Sequence, residues 1–186
     1  MTSFYTQKEL ESLGLAKVGD NVLISRKASI YGAGKIVIGN NVRIDDFCIL
    51  SGSITIGSNV HISAYCALYG ANGIVLEDFT GISPRCSLFS AMDDFGGDYL
   101  IGPVHPAEYT NVTGGEIRLR KYSQLGASCV VFPSVEIGEG CVVGACSMIR
   151  NSLDDWSVCH GIPAEKKRER KKGLINLIDN YYVPGN

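Results

Sequence analysis

The residues best suited to acid–base chemistry lie in one interval of the chain, residues 89–116. This interval contains His105 and five carboxylates but no lysine or arginine. The carboxylates are Asp93, Asp94, Asp98, Glu108 and Glu116. A region of this charge attracts a cation and can orient an ammonium group, and a carboxylate or imidazole within it could accept a proton. These residue types therefore point to a ligand that carries an amine.

The rest of the chain repeats with a period of six, and this repeat must position the acidic interval. Seventeen positions spaced six apart are all Leu, Ile or Val, with two shifts of two residues and one break at 89–116. They are Val18, Ile24, Ile30, Ile38, Ile44, Leu50, Ile56, Ile62, Leu68, Leu76, Ile82, Leu88, Leu119, Leu125, Val131, Ile137 and Val143. The period fits neither an α-helix nor a single alternating strand.

The period predicts a solenoid of short parallel strands, with three hexads in each triangular coil. One large aliphatic residue per hexad points inward, and a small residue at the fifth position fills the adjoining corner. Five of the seven cysteines occupy this small position, namely Cys48, Cys66, Cys86, Cys129 and Cys141. A thiol there is expected to act as a small apolar side chain. Cys146 and Cys159 lie outside the pattern.

Segments outside the repeat complete the predicted organisation. The predicted units are an N-terminal helical cap at 1–17, the solenoid at 18–164 with its inserted loop at 89–116, and a basic and helical C-terminal segment at 165–186. Thr6 and Glu9 have the spacing of a helix capping box, and the helix should cover the open end of the solenoid. The basic residues at 165–172 form either a solvated helix face or a phosphate site.

Composition argues against several classes of protein. A net charge of −2 over 186 residues does not suit a general nucleic-acid binder. No apolar run approaches the roughly 18 residues of a membrane span, and the N-terminus lacks a secretory signal. Seven cysteines without a C-x-x-C pair are typical of a reduced protein. We therefore expect a cytoplasmic location, no membrane span and no nucleic-acid partner.

The hexads resemble those of the hexapeptide-repeat acyltransferases, whose fold is a left-handed parallel β-helix. The resemblance covers about residues 18–168. Its most specific parts are Leu125–Gly138, Val143–Met148, Gly161–Ala164, Arg43–Gly52 and Ser90–Phe95. They are similar to sugar acetyltransferases related to galactoside acetyltransferases, and to enzymes of surface-polysaccharide assembly, some of which N-acetylate nucleotide-linked amino sugars. The expected fold class is all-β: a left-handed parallel β-helix of hexapeptide repeats with a long inserted loop, a short N-terminal helix and a C-terminal helix.

The resemblance also implies a homotrimer in which acetyl-CoA lies between adjacent subunits. In the family, small residues of the late coils let the pantetheine lie against the backbone, and basic or polar residues beyond them meet the phosphates. The matching positions are Gly126, Ala127, Gly144 and Ala145 in the coils, Arg150 and Asn151 after the last hexad, and Lys166 and Arg168 beyond the closing turn. Glu165 stands where relatives often carry a basic residue.

Asp93 occupies the position of a catalytic histidine found in many sugar O-acetyltransferases of this family. A sugar hydroxyl needs a general base to attack a thioester, whereas a deprotonated amine is nucleophilic without one. The acidic loop therefore favours an amine acceptor. Candidate catalytic residues are Asp93 and His61, which lies at an outward position before a corner, and a reaction without a protein base stays open. Candidate substrate contacts are Asp94, Tyr69 and His105.

The resulting prediction is an acetyl-CoA-dependent transferase that N-acetylates a nucleotide-linked amino sugar for O-antigen or capsule synthesis, without a metal. O-acetylation of a galactoside-like hydroxyl is the alternative within the enzymes. A zinc hydratase of the same fold needs three converging histidines, but His61, His105 and His160 include no short-spaced pair. A non-enzymatic scaffold or binding protein would need neither the acidic loop nor the basic C-terminal segment.

Overall fold

The computed structural model describes residues 3–181 and consists almost entirely of short strands. Strands β1 to β10 are Lys17–Val18, Val22–Ile24, Ser29–Tyr31, Ile36–Ile38, Val42–Ile44, Ile49–Ile56, Val60–Ile62, Ala67–Leu76, Gly81–Ile82 and Ser87–Phe89. Strands β11 to β20 are Ala91–Asp93, Val112–Gly114, Ile117–Leu119, Gln124–Leu125, Val130–Val131, Glu136–Ile137, Val142–Val143, Met148–Ile149, Ser157–Gly161 and Ala164–Glu169. The helices are α1, Gln7–Ser12, and α2, Leu174–Tyr181, and 3-10 turns occupy Ala33–Lys35 and Ala107–Tyr109.

The strands wind into a parallel β-helix of about seven turns. Each strand pairs in parallel with the equivalent strand of the next coil: Val22 lies opposite Val42, and Val42 lies opposite Val60. One face consists of β2, β5, β7, β9, β14, β17 and β19, while the longer strands β6 and β8 bend and contribute to both other faces. The predicted fold class, an all-β left-handed parallel β-helix of hexapeptide repeats, is confirmed.

The turns between faces line up as edges of a triangular prism, and two of these edges matter for function. The first edge consists of residues 25–28, 45–48, 63–66, 83–86, 126–129 and 144–147. The second edge consists of residues 32–35, 51–53, 70–73, 132–135 and 150–152, and the inserted segment 89–116 leaves the coil at this edge.

The predicted inward positions form the core. Fifteen of the seventeen are buried, and the other two, Val18 and Ile30, pack against the core from the outer coils. The corner cysteines are also fully buried, and the Cys48 thiol donates to the carbonyl of Ser63 in the next coil at 3.1 Å. Burial raises the pKa of Cys141 to about 12, so this thiol stays protonated. The structural interpretation of the corner cysteines is therefore confirmed.

The N-terminal helix covers the first coil, as its sequence predicts. The Thr6 side chain accepts from the Glu9 amide while the Glu9 carboxylate accepts from the Thr6 amide, which is the predicted capping box. Leu10 is 1% exposed and completes the core at this end. Glu9 also pairs with Arg26 of the first edge at 2.6 Å, which fastens the helix to the coil.

One interpretation of the sequence is a solvated helix face at 165–172. In the structure, a strand closes the C-terminal end of the β-helix instead. Strand β20 pairs antiparallel with β19, and α2 begins only at Leu174. Although the basic residues are good helix formers, the unpaired edge of β19 offers them a ladder of backbone hydrogen bonds. Arg170 then donates to the carbonyl oxygens of Tyr122 and Gly140, each at 2.9 Å. Residues 182–186 of the predicted segment lie outside the described part of the chain.

Candidate active site

The arm, residues 89–116, leaves and re-enters the coil at a single point of the second edge. The Gly115 amide donates to the Ser90 carbonyl at 2.9 Å, so the two ends of the arm are hydrogen-bonded to each other. The buried Ser90 hydroxyl donates to the Tyr69 carbonyl and accepts from the Asn72 amide, both at 2.9 Å. A Cβ on Gly114 would collide with the Ser90 carbonyl oxygen, which explains the glycine at this point.

Within the arm, β11 and β12 form an antiparallel hairpin that ends at Asp93, opposite Val112. The two neighbouring aspartates are held differently. Both carboxylate oxygens of Asp94 accept hydrogen bonds, from the Gly96 amide at 2.7 Å and from Asn111 Nδ2 at 2.9 Å. These two bonds lower the pKa of Asp94 below its ordinary value. Asp94 is therefore charged and committed to holding the loop.

Asp93 is more available. Its Oδ1 accepts only a long bond of 3.3 Å from the Gly102 amide, and within residues 3–181 no donor reaches its Oδ2. Asp93 lines a cavity of about 290 Å³ inside the arm together with His105. It also lines an outer cleft of about 620 Å³, which it shares with Asp94, Phe132 and Arg150. The structure thus brings four of the predicted site residues, Asp93, Asp94, His105 and Arg150, to one region.

His61 lies elsewhere, in a groove of about 460 Å³ on the face formed by β5, β7 and β9. No residue lines both this groove and either cavity of the arm, so one chain does not bring His61 to Asp93. His61 Nε2 lies 2.8 Å from Asp45 Oδ2, and Arg43 Nε donates to Asp45 Oδ1 at 2.7 Å. Burial acts to raise the pKa of Asp45, but these two bonds outweigh it and lower the pKa.

The four small residues expected to line the cofactor lie together on the first edge, in consecutive coils. The coil itself already explains two of them. A Cβ on Gly126 would lie 2.5 Å from the Ala145 nitrogen, and one on Gly144 would lie 2.9 Å from the Cβ of His160. The stacking of coils therefore requires both glycines. Ala127 and Ala145 leave this edge smooth on its outer side.

The basic residues of the predicted cofactor site divide between two places. Lys166 lies on β20 in register with Cys159 of β19, and its ammonium forms ion pairs with Glu169 at 2.7 Å and Asp154 at 3.8 Å. Arg168 follows on the same strand and is exposed. Arg150 and Asn151 instead follow β18 on the second edge, where the Arg150 guanidinium lies 5.3 Å from the ring centroid of Phe132.

The backbone amides of Gly126 and Ala127 differ in whether a ligand could use them. The Gly126 amide donates to the Val143 carbonyl at 2.7 Å, so it belongs to the coil and is not available to a ligand. The Ala127 amide has no acceptor among the residues that the structure describes. Of these two amides, that of Ala127 is therefore the one suited to bind the thioester oxyanion.

Aromatic residues on the edges are the main feature that the sequence argument missed. Tyr69, a predicted substrate contact, stacks on Phe89 at the base of the arm, with ring centroids 5.3 Å apart. On the first edge, Phe47 and Tyr65 stack with centroids 4.9 Å apart. Lys27 lies below this pair and Arg85 above it. We call these four residues, Lys27, Phe47, Tyr65 and Arg85, the edge ladder; all occupy the fourth position of a hexad, and that recurrence is the signal that could have found them.

No group of three or more His, Cys, Asp or Glu side chains is arranged to hold a metal ion between residues 3 and 181. No helix in that range is long and apolar enough to cross a membrane.

Comparison with known proteins identifies close relatives of this arrangement. The family model for bacterial transferase hexapeptide proteins (six repeats) matches residues 35–70. A dTDP-4-amino-4,6-dideoxy-D-glucose acyltransferase from Escherichia coli is 39% identical over 178 residues, which cover 94% of this chain and 93% of the relative. A hexapeptide transferase family protein from Anaplasma phagocytophilum, 18% identical over 88% of this chain and 90% of its own, shares the fold with a TM-score of 0.59.

The solved structures of AntD, an N-acyltransferase from Bacillus cereus, agree over nearly the whole chain. AntD in complex with dTDP and 3-hydroxybutyryl-CoA is 53% identical, covers 97% of both chains and superposes with a TM-score of 0.95. A serine-to-cysteine variant of AntD, in complex with dTDP-4-amino-4,6-dideoxyglucose and coenzyme A, gives the same TM-score and coverage at 52% identity. With its repeats, its arm and these relatives, the chain belongs to the hexapeptide-repeat acyltransferases.

Proposed function

We propose that this protein transfers an acyl group from acyl-CoA to the amino group of a nucleotide-linked amino sugar, with dTDP-4-amino-4,6-dideoxyglucose as the first acceptor to test. The relatives support this choice, because the Escherichia coli protein is named for this acceptor and AntD was solved with it. Acetyl-CoA is the donor that we expect, while the 3-hydroxybutyryl-CoA bound to AntD makes that thioester the alternative.

The observation that carries the proposal is the half-free carboxylate of Asp93 in an arm without basic residues. An ammonium group entering the arm cavity would meet Asp93 Oδ2, which no donor within residues 3–181 occupies. Asp93 can then accept one proton from the ammonium group, and the freed amine nitrogen attacks the thioester carbon to give a tetrahedral intermediate. The bond to sulfur then breaks, and the second proton of the nitrogen passes to the sulfur as CoA leaves as the thiol. Asp94 positions the hairpin, and His105 lines the same cavity.

The donor is proposed to lie along the C-terminal half of the first edge. Gly126 and Ala127 and the equivalent Gly144 and Ala145 provide a smooth surface for the pantetheine. Lys166, on the adjoining strand β20, is the proposed contact for a phosphate. The Ala127 amide, which has no acceptor in the described part of the chain, would bind the oxyanion of the tetrahedral intermediate.

The active assembly is proposed to be a homotrimer. In one chain Asp93 is on the second edge and the smooth surface is on the first, so a neighbouring copy is needed to bring the arm to the donor. The arm also exposes large apolar side chains, among them Phe95 at 70% and Val104 at 84%, which a second subunit would cover. Free thiols at all seven cysteines fit a cytoplasmic location, and a surface polysaccharide is the proposed destination of the sugar.

The experiment offers the purified chain two donors, acetyl-CoA and 3-hydroxybutyryl-CoA, and a panel of acceptors. The panel contains dTDP-4-amino-4,6-dideoxyglucose, other nucleotide amino sugars, and hydroxyl sugars such as a galactoside. Mass spectrometry of the acceptor and release of the CoA thiol measure transfer. We expect one acyl group on the amino sugar and none on the galactoside.

Acylation of hydroxyl sugars alone would overturn the amine proposal in favour of O-acetylation. Absence of CoA binding in calorimetry would instead indicate a scaffold. Sedimentation analysis of the same sample tests the trimer, and a mixture of Asp93→Asn and Ala127→Val chains tests whether two copies build one site. Partial recovery of activity in the mixture is expected only if the arm of one chain serves the donor surface of another.

A further inference from the structure

The face of the β-helix between the first and second edges carries no charged side chain over four successive coils. It consists of β3, the first three residues of β6 and of β8, and β10, which pair in register. The other two faces are charged, since one presents Arg43 and His61 and the other presents Arg118. The outward residues of the uncharged face, which we call the neutral face, are Ser29, Tyr31, Ile49, Ser51, Ala67, Tyr69, Ser87 and Phe89.

An aromatic column on the neutral face is interrupted by one small residue. Tyr31 lies opposite Ser51, and Ser51 lies opposite Tyr69 of the next coil. Phe89 follows in the coil after that and stacks on Tyr69, with ring centroids 5.3 Å apart and ring planes at 11°. Phe89 thus covers one face of the Tyr69 ring, whereas Ser51 is too small to cover the other. We call the gap at Ser51, between Tyr31 and Tyr69, the tyrosine slot.

The width of the tyrosine slot selects the shape of a ligand. Neighbouring strands of a sheet lie about 4.8 Å apart, so Tyr31 and Tyr69, which are two strands apart, are separated by about 9.6 Å. A flat aromatic ligand between them would contact each ring at about 3.5 Å and fill only about 7 Å. A pyranose chair is thicker, because its ring is puckered and carries hydrogen atoms on both faces. The slot therefore suits a sugar ring better than a nucleobase.

The second edge leaves the tyrosine slot open on one side. Each slot residue is followed there by a glycine, namely Gly32, Gly52 and Gly70. A Cβ on Gly52 would lie 2.6 Å from the Gly70 carbonyl oxygen, so the stacking of the coils requires a glycine at this position. Because these residues have no side chains, the edge does not close the slot. Tyr31 is 59% exposed and Tyr69 is 38% exposed, so a ligand can reach both rings.

The polar groups of the slot suit a neutral ligand with several hydroxyls. The hydroxyls of Tyr31, Ser51 and Tyr69 have no hydrogen-bond partner within residues 3–181. A sugar ring presents hydroxyls around its rim, which can bond to such groups, and C–H groups on its faces. The face of an aromatic ring carries partial negative charge and attracts these C–H groups. A phosphate or carboxylate would find no cation on the neutral face.

We propose that the tyrosine slot binds a pyranose ring of a neutral saccharide, with the ring between Tyr31 and Tyr69 and a hydroxyl of the sugar on Ser51. This site is separate from the cavities described above, because neither Tyr31 nor Ser51 lines any of them. Tyr69 also stands at the base of the arm, so the bound saccharide lies beside the arm root. Binding there requires neither acyl-CoA nor a nucleotide, and the inference goes beyond the proposed transfer reaction.

The experiment measures saccharide binding to the full chain by saturation-transfer NMR, without acyl-CoA. The probes are the methyl pyranosides of glucose, mannose, galactose and rhamnose, and titration gives the Kd of each. We expect at least one probe to bind wild type with a Kd in the millimolar range. Tyr31→Ala removes one wall and Ser51→Tyr fills the slot with a ring, so each should raise that Kd by about tenfold or more. Tyr31→Phe keeps the ring and should stay within about threefold of wild type.

Matched controls separate the slot from a general surface effect. Thr55→Tyr adds a ring to the same strand β6 but on another face, and Tyr109→Ala removes a ring that is 58% exposed in the arm. Both should leave pyranoside binding unchanged. The inference is overturned if wild type binds none of the four probes, or if Ser51→Tyr binds them as wild type does.

Sedimentation analysis of the same variants tests a different occupant of the neutral face. If Ser51→Tyr dissociates the assembly that wild type forms, a second copy of the chain covers the slot and the inference is overturned. We expect the assembly to be unchanged in all variants. Acyl transfer to the amino sugar is measured separately, so its failure would defeat the proposed function and leave pyranoside binding to be judged on its own.

Discussion

Asp93 and Asp94 are adjacent in the chain, yet their carboxylates are engaged in opposite ways. Both carboxylate oxygens of Asp94 accept hydrogen bonds inside the arm, from the Gly96 amide and from the Asn111 side chain. Asp93 keeps its Oδ2 without a donor within residues 3–181 and faces two cavities. The residues at the end of β11 therefore provide one carboxylate that holds the loop and one that is available to a ligand.

Replacement of Asp93 should impair chemistry and leave the fold intact. Asp93→Asn removes the proton acceptor while keeping the size of the side chain. We expect kcat/KM for the amino sugar to fall by about a hundredfold or more, with the melting temperature unchanged. Steady-state kinetics and thermal unfolding of the same preparation test this.

Asp94→Asn is the matched control, because it should loosen the hairpin. We expect faster amide exchange in residues 94–111 and a higher acceptor KM. His61→Ala should retain most of the activity. Full activity in Asp93→Asn, or a loss in His61→Ala as large as that in Asp93→Asn, would contradict the assignment of the acceptor site to the arm.

The glycines and alanines of the first edge should separate folding from cofactor binding. Gly126→Ala places a Cβ 2.5 Å from the Ala145 nitrogen, and such overpacking costs about 1–3 kcal/mol of unfolding free energy. Ala127→Val adds its bulk on the outer side and should instead raise the acyl-CoA KM at nearly constant stability. Chemical denaturation and kinetics of both variants decide the matter, and loss of stability in Ala127→Val alone would reverse the assignment.

Thiol labelling should single out Cys146. It is the exposed cysteine, and the other six are buried. A maleimide should therefore modify one thiol per native chain and all seven after unfolding. Since Cys146 follows Gly144 and Ala145, bound acyl-CoA should slow its labelling. Cys146→Ser gives the unlabelled control, and labelling that acyl-CoA does not slow would remove this part of the first edge from the donor site.

The helical cap should lose stability in acid. The hydrogen bond from Arg26 and those from Thr6 lower the pKa of Glu9 from 4.5 to about 2. Because this pKa is depressed in the folded state, the contribution of Glu9 is complete above pH 4.5 and disappears as the pH falls toward about 2. The melting temperature of Glu9→Gln should therefore lie below wild type at neutral pH, and the difference should shrink through this range.

The size of that difference should be modest and sensitive to salt, since Glu9 is 42% exposed and water screens the pair. Glu11→Gln on the same helix is the control and should show no such convergence with wild type. A difference that stays constant down to pH 2 would show that Glu9 does not act through its charge.

The solenoid could be predicted from sequence because each hexad needs one large inward side chain, and those side chains recur at constant spacing. Leu50, Leu68 and Leu88 illustrate this, since they stack at one inward position of successive coils. The capping box was local and equally predictable. The strand β20 was not, because the basic residues have helix propensity and only the free edge of β19 selects the strand.

The candidate site was harder to predict for a different reason. The position of a residue in its hexad determines which edge it occupies. The family resemblance, however, assigns Arg150 and Gly126 to the same cofactor site. The two lie on different edges, with β18 between the edges. Asp94 and the Gly126 amide form hydrogen bonds with residues that are distant in sequence, Asn111 and Val143. Period and composition carry no information about such partners.

The two ends of the arm are joined at one point of the coil, and this has a consequence for how the acceptor specificity of such enzymes can change. Since Gly115 returns to Ser90 and Ile117 resumes pairing with Ile74, the coils continue in register across the insertion. The scaffold therefore exerts no constraint on the length of the segment between those two residues. The arm can therefore be replaced by another segment, in evolution or by engineering. Such a replacement can change the acceptor specificity without altering how the coils fold.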